Sequence, residues 1–243
     1  MSSLIPKTPG VSAKLAKKGA IPAALLAALT SPLAYTTLER WEGNILYVYA
    51  DHLADGLPTY CAGRTDWKAQ VGTQLTDDQC RAVNKVTLLE YGFAVLECVD
   101  WNYLTPTRLV ALTIFAVNVG KVGACNSQAV KVINSGDIAG GCKLLAYKLD
   151  GSPNWAYAGG RFVQGLHNRR KAEYSLCLRK GSLQQLYESI QSRCETGIGQ
   201  YRMDGRARRR NQEALHGRGQ NTLLVVQLQP GSQHLLRSQQ VSG

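Results

Sequence analysis

Six of the seven cysteines in this chain lie between Cys61 and Cys177, and none belongs to a CxxC pair. Cys61, Cys80, Cys98, Cys125, Cys142 and Cys177 share one globular stretch, and Cys194 lies beyond it. An even set of this kind favours three disulfides and an oxidising compartment, with buried free thiols as the alternative. Spacing alone leaves the connectivity open. His52, His167, His216 and His234 are scattered, so no zinc-type spacing forms and no metal site is expected.

The 243 residues, 44% of them hydrophobic, suffice for one good core plus extra segments. A net charge of +11 draws the chain to polyanions: nucleic acid, acidic lipid or an anionic cell wall. There is no RNA-recognition signature and no P-loop, so nucleic acid is not the expected partner.

Lys7, Lys14, Lys17 and Lys18 precede an apolar run from Ala20 to Tyr35. Positive residues followed by a short apolar stretch form the pattern of an export signal. The run is rich in alanine and broken by Pro22 and Pro32. It is shorter than the ~20 residues of a comfortable membrane span. Residues 1–35 therefore read as a signal or weak signal-anchor. The competing reading is a first helix of the globular domain, although no polar face appears between Ala20 and Leu29. Residues 36–180 carry the globular pattern. Residues 181–243 begin with one more candidate helix, Ser182 to Cys194. They continue with Arg202, Arg206, Arg208, Arg209, Arg210 and Arg218 and end rich in Gln and Ser. Such a basic segment is expected to form no core.

Inside the globular stretch, Thr37 is predicted to cap a short helix containing Leu38, Trp41 and Ile45. Tyr47-Val48-Tyr49 and Thr59-Tyr60 flank a Gly/Pro turn, which predicts an antiparallel ribbon. Thr76-Asp-Asp-Gln79 reads as a capping box. Thr105-Pro106 reads as a cap with proline in the first turn, and Leu109, Leu112, Phe115 and Ala116 follow at helical spacing. Further short helices are expected near Ser127, Asp137 and Asn168. The expected class is α+β, mainly helical with a minor sheet near the front.

The chemistry concentrates in Glu42-Gly43, Tyr49, Asp51 and Gly56-Leu-Pro-Thr59. Two carboxylates flank a turn and a hydroxyl follows. Cutting a glycosidic bond asks for this set: one acid protonates the leaving oxygen while a second carboxylate prepares a water. Glu42 has apolar neighbours in Trp41, Ile45 and Leu46, a setting in which an acid can keep a proton to give. Asp51 stands beside His52 and the turn, with Asp55 competing for its role.

Three blocks carry a family resemblance. The first is Glu42-Gly43, Tyr49-Ala-Asp51, Gly56-Leu-Pro-Thr59 and Cys61-Ala-Gly63-Arg-Thr65. The second is Leu112-Thr-Ile-Phe115-Ala-Val-Asn118-Val-Gly120. The third runs from Trp155-Ala-Tyr-Ala-Gly-Gly160 through Gly165-Leu-His-Asn-Arg169-Arg170 to Glu173. Together they resemble the phage-type lysozymes of glycoside hydrolase family 24, and more narrowly the endolysins of lambdoid-like phages and prophages. The resemblance implies a lysozyme-like fold with a small β-hairpin at the active-site cleft, and hydrolysis of peptidoglycan with inversion and without a cofactor. It implies that Glu42 is the acid, Asp51 the catalytic aspartate, Thr59 the catalytic threonine and Asn118 a residue lining the cleft. It also implies the pairs Cys61–Cys80, Cys98–Cys125 and Cys142–Cys177. Arg64 stands where many relatives have histidine, a structural ion-pair position. Arg169 and Arg170 are expected to tie the last helix to the domain. Trp155 and Tyr157 are expected in the core rather than stacked on sugar. Export to the host periplasm, with a first tether at the inner membrane through residues 1–35, completes the expectation, as a monomer. Three rivals stay open: a lytic transglycosylase on the same bond, a non-catalytic basic protein that binds wall or nucleic acid, and a membrane disruptor driven by the basic tail.

Overall fold

The computed structural model describes residues 4–52 and 55–179. The expected helix over residues 182–194, Cys194 and the basic tail lie outside these. Three helices open the chain: α1 (Ala13–Ala16), α2 (Ala23–Leu29) and α3 (Pro32–Glu42). A three-stranded antiparallel sheet follows in the order β1 (Ile45–Asp51), β2 (Leu57–Cys61) and β3 (Arg64–Thr65). The remaining elements are α4 (Asp77–Cys98), a 3-10 turn at Trp101–Tyr103, α5 (Pro106–Val119), α6 (Lys121–Asn126), α7 (Gln128–Asn134), α8 (Ile138–Lys143), a two-stranded hairpin of β4 (Tyr157–Ala158) and β5 (Arg161–Phe162), and α9 (Gln164–Cys177). The class is α+β and mainly helical, as expected.

Local chemistry explains most starts. The capping box at Thr76 is complete: its hydroxyl accepts from the Gln79 N–H, and the Gln79 side chain accepts from the Thr76 N–H. Thr105 caps α5, with Pro106 in the first turn. Ser127 and Asp137 cap α7 and α8. Two starts differ from the sequence reading. The third helix begins at Pro32, with Ser31 as its cap, and not at Thr37; it ends at Glu42, so Ile45 opens a strand instead of closing a helix. The last helix begins at Gln164, ahead of Asn168, and has no side-chain cap.

The sheet is a bulged hairpin with a short third strand. Tyr49 pairs with Thr59 and Asp51 with Leu57, and the register shifts between Ile45 and Tyr49. A small core lies beneath it: Val48, Tyr60, Cys61, Ala69, Leu75, Cys80 and Val83. The main core surrounds α5, whose residues from Thr107 to Ala116 are all buried. The long α4 contributes to both cores.

The first three helices belong to the main core. Leu15, Leu25, Ala28, Leu29, Ala34 and Leu38 are buried in it. Leu29 seats against Gly92 of α4; a Cβ at 92 would come within 2.3 Å of its Cδ2. Lys18 Nζ donates to the Leu96 and Val99 carbonyls at the end of α4, each at 2.9 Å. The line between residues 35 and 36 therefore falls inside α3. Among the described residues no helix is long and apolar enough to cross a membrane.

Three disulfides join Cys61 to Cys80, Cys98 to Cys125 and Cys142 to Cys177, the pairing that the resemblance implied. They close loops of 19, 27 and 35 residues. In the chain-entropy picture each contributes ~3–4 kcal/mol. Leu29→Ala empties a fully buried seat, so it is expected to lower stability by ~2–5 kcal/mol in a urea titration of the oxidised protein.

Candidate active site

Glu42 is the last residue of α3, and Gly43 leaves the helix at φ 77°, a conformation glycine adopts without strain. Its side chain lines a cleft of about 330 Å3. One wall is the β2–β3 turn together with β3, residues 62–65. Thr87, Glu90 and Tyr91 of α4 and Val117 of α5 complete the lining. The cleft thus runs between the sheet and the main helical core.

Charge inside the cleft is tied down. Arg64 Nη1 lies 2.9 Å from Glu90 Oε2, and Lys121 Nζ lies 2.5 Å from Oε1. Burial works against the charge on Glu90, but hydrogen bonds from Lys121 and Arg64 outweigh it and hold its carboxyl below the usual range. Arg64 is thereby an ion-pair residue, as its position predicts.

Behind Glu42 stands a buried cluster. Arg169 Nη2 lies 2.7 Å from Glu42 Oε1, an ion pair whose angles do not make it a hydrogen bond. The same nitrogen donates to the Ile114 carbonyl at 3.0 Å, and Nε donates to Glu173 Oε1 at 3.0 Å. Arg170 Nη2 reaches that Glu173 oxygen at 2.8 Å, and its guanidinium lies 5.1 Å from the centre of the Phe115 ring. Arg170 and Glu173 are almost completely buried. The two arginines do tie the last helix to the domain, but Arg169 also reaches the candidate acid.

Asp51 is the final residue of β1 and is half-buried; its carbonyl accepts from the Gly56 N–H at 2.8 Å. The Tyr49 phenol is pushed up by burial and then by the Asp51 charge, which puts that carboxylate near the tyrosine. Asp55 is exposed with φ 53°. Thr59 is buried, and its hydroxyl donates to the Leu57 carbonyl at 2.9 Å. Asn118 is exposed in the last turn of α5, beside Val117. Asp51, Thr59 and Asn118 are not among the residues lining the cleft with Glu42. Trp155 packs edge-on against the buried Phe115, with centroids 5.4 Å apart, but is itself 37% exposed, so it caps the core from outside and does not fill it as expected. Tyr157 is 47% exposed and faces Phe162 and Lys148.

A phage lysozyme family model matches residues 39–173, more than half of the chain. A SAR-endolysin of Bacteriophage PS119 is 32% identical over 123 residues, covering 51% of this chain and 69% of that one. A SAR-endolysin of Enterobacteria phage PA-2 is 31% identical over 137 residues, covering 56% and 77%. Among solved structures, the muramidase domain of SpmX from Asticaccaulis excentricus is similar, with a TM-score of 0.52, 24% identity and coverage of 62% of this chain and 97% of that one. A mutant P22 lysozyme has a TM-score of 0.52 at 24% identity, covering 61% and 97%. These two likenesses speak for the fold.

The chain belongs to the phage lysozyme family. It is a peptidoglycan hydrolase of the endolysin class.

Sequence reasoning missed the contact of Arg169 with Glu42 and the part played by Glu173. Only one signal of it was readable: Arg169 and Glu173 are four residues apart, hence neighbours on one helix face. Glu173 has a testable consequence. Burial pushes its carboxyl up to about 7 from 4.5, against the pull of Arg170 and Arg169. Between those values the folded state holds a proton that the unfolded state has released. The stability linked to Glu173 is therefore full at low pH and is lost as pH rises through about 7. The thermal midpoint should fall over this window, and Glu173→Gln should flatten the fall.

Proposed function

We propose that the protein is a muramidase that hydrolyses the β-1,4 bond between N-acetylmuramic acid and N-acetylglucosamine, in phage-induced lysis of a bacterial host. The observation that carries this reading is the place of Glu42: a half-buried carboxyl at a helix end, lining a cleft between sheet and helical core.

Glu42 acts as the general acid on the leaving oxygen. Asp51, at the other end of β1, acts as the base that aims a water and faces the positive charge developing on the sugar ring. Inversion requires the two carboxyls ~6.5–9.5 Å apart, which leaves room for that water. Thr59 would offer its hydroxyl to the same water on leaving the Leu57 carbonyl, and Asn118 would bind sugar from the α5 side. No cofactor enters this chemistry. Two features of Asp51 favour it over Asp55: its place on a paired strand and its nearness to Tyr49.

Residues 1–35 serve as an exported, membrane-associated segment in this reading, a role supported by the apolar run and by relatives named SAR-endolysins. The enzyme would act in the periplasm, where its disulfides persist. Leu15, Leu25 and Leu29 fill the main core. A segment held in a bilayer could not fill it at the same time, so the tethered form would be inactive until released.

Turbidity loss of outer-membrane-permeabilised cells tests the site. Glu42→Gln and Asp51→Asn are each expected to slow lysis by roughly 100-fold or more. A basic wall binder would keep its effect in both variants. Product mass separates the rival enzyme: hydrolysis adds a water, whereas a transglycosylase releases an anhydro sugar.

A further inference from the structure

We propose that Glu173 is a positioning residue for this hydrolysis: it fixes the Arg169 guanidinium against Glu42 and balances its charge, so that Glu42 keeps the proton it must give. The proposal rests on the reading of Glu42 as the acid.

The geometry is that of a held fork. A guanidinium is planar, so two anchored nitrogens set its plane. Glu173 Oε1 holds Arg169 Nε at 3.0 Å and the Ile114 carbonyl holds Nη2 at 3.0 Å. That leaves Nη2 2.7 Å from Glu42 Oε1 without a well-angled hydrogen bond. Arg169 thus meets Glu42 mainly as a fixed charge. Removing the Glu173 carboxylate releases one anchor of the fork.

The charges are as telling as the contacts. On its buried side the cluster holds Arg169 and Arg170 from α9, Glu173 itself and Glu42 from α3; on the cleft side Glu42 shares the lining with Arg64 of β3 and Glu90 of α4, which are paired with each other, Glu90 also with Lys121 of α6. The face of α5 supplies a carbonyl and an aromatic ring. With both carboxyls ionised the cluster is neutral. Without the Glu173 charge, the Arg169 and Arg170 guanidiniums lose the carboxylate that balances them on the buried side, and their field at Glu42 favours the charged form. The carboxylate of Glu173 is charged at the upper end of the neutral range, above about 7. There an acid catalyst most needs help in staying protonated.

The arrangement is poor as a stabilising device. Glu173 Oε2 and Arg170 Nε and Nη1 are buried without a hydrogen-bond partner in the protein. Unpaired polar atoms in a core cost stability that apolar side chains would not. A purely structural clasp between α9 and α5 has no need of them.

Opposite charge changes give opposite signs, and the pH–rate profile reads them. Lysis rates on purified peptidoglycan are measured across pH for wild type, Glu173→Gln, Glu173→Asp, Arg169→Gln and Glu42→Gln, with a melting curve for each at every pH. In Glu173→Gln the alkaline limb is expected to move down by about one pH unit, and in Arg169→Gln up by a similar amount. Glu173→Asp, which keeps the charge, should restore most of the wild-type limb. A Glu173→Gln profile that only scales down, with its limb unmoved, overturns the proposal. If Glu173→Gln fails to fold, Arg169→Gln decides alone, and a limb that does not rise overturns it. Activity retained in Glu42→Gln would instead sink the reading of the acid, whatever the other variants do.

Discussion

A helical stretch with no solvent face must be enclosed, and α5 is such a stretch up to its last turn. Every residue from Thr107 to Ala116 is buried, apolar or not. Two of its polar members are satisfied by the chain that wraps it: the Thr107 hydroxyl donates to the Arg179 carbonyl, and Arg108 donates to the Cys177 and Tyr103 carbonyls. Enclosure explains the rest of the arrangement. Helices α2, α3, α4, α6 and α9 all lie against α5 because each has an apolar face to hide there. Wrapping brings the end of α3 and the middle of α9 to one place beside Ile114. Arg169 can touch a carbonyl of α5 and a carboxylate of α3 only because the core is packed this way.

The two lobes meet over α4. Its first half closes the small core under the sheet through Cys80 and Val83, and its middle supplies the floor of the cleft through Thr87, Glu90 and Tyr91. Glu90 sits between a cation from the sheet side and one from the start of α6. The Arg64 bond ties the sheet side of the cleft to its α4 side, and the Lys121 bond ties α4 to α6.

What the sequence disclosed was what is chemically local. Thr76, Thr105, Ser127 and Asp137 announce helix starts because a capping side chain bonds within three residues of itself. The hairpin was legible because its Gly/Pro turn and the aromatic, valine and threonine residues on either side of it are contiguous. The start of α3 differs from the expected one although Ser31-Pro32 carries a proper signal, because that signal lies inside an apolar run whose pattern is also that of an export segment. The start of α9 had no signal to read, since Val163 makes no side-chain cap. The site divided the same way. Glu42 and Asp51 stand out by spacing, whereas the Arg169–Glu42 ion pair joins residues far apart in the chain. Periodicity carries no trace of such a pair.

One contact at the edge of the main core has a wider consequence. The start of α4 carries Asp77 and Asp78, and its end receives the Lys18 ammonium on two carbonyls. Both poles of the helix dipole are thus met by opposite charge, one of them supplied by the opening segment of the chain. Ions in solution weaken such an attachment, because screening shortens the reach of partly exposed charge. How firmly the first helices grip the body is therefore a property of the surrounding ionic medium as well as of the fold.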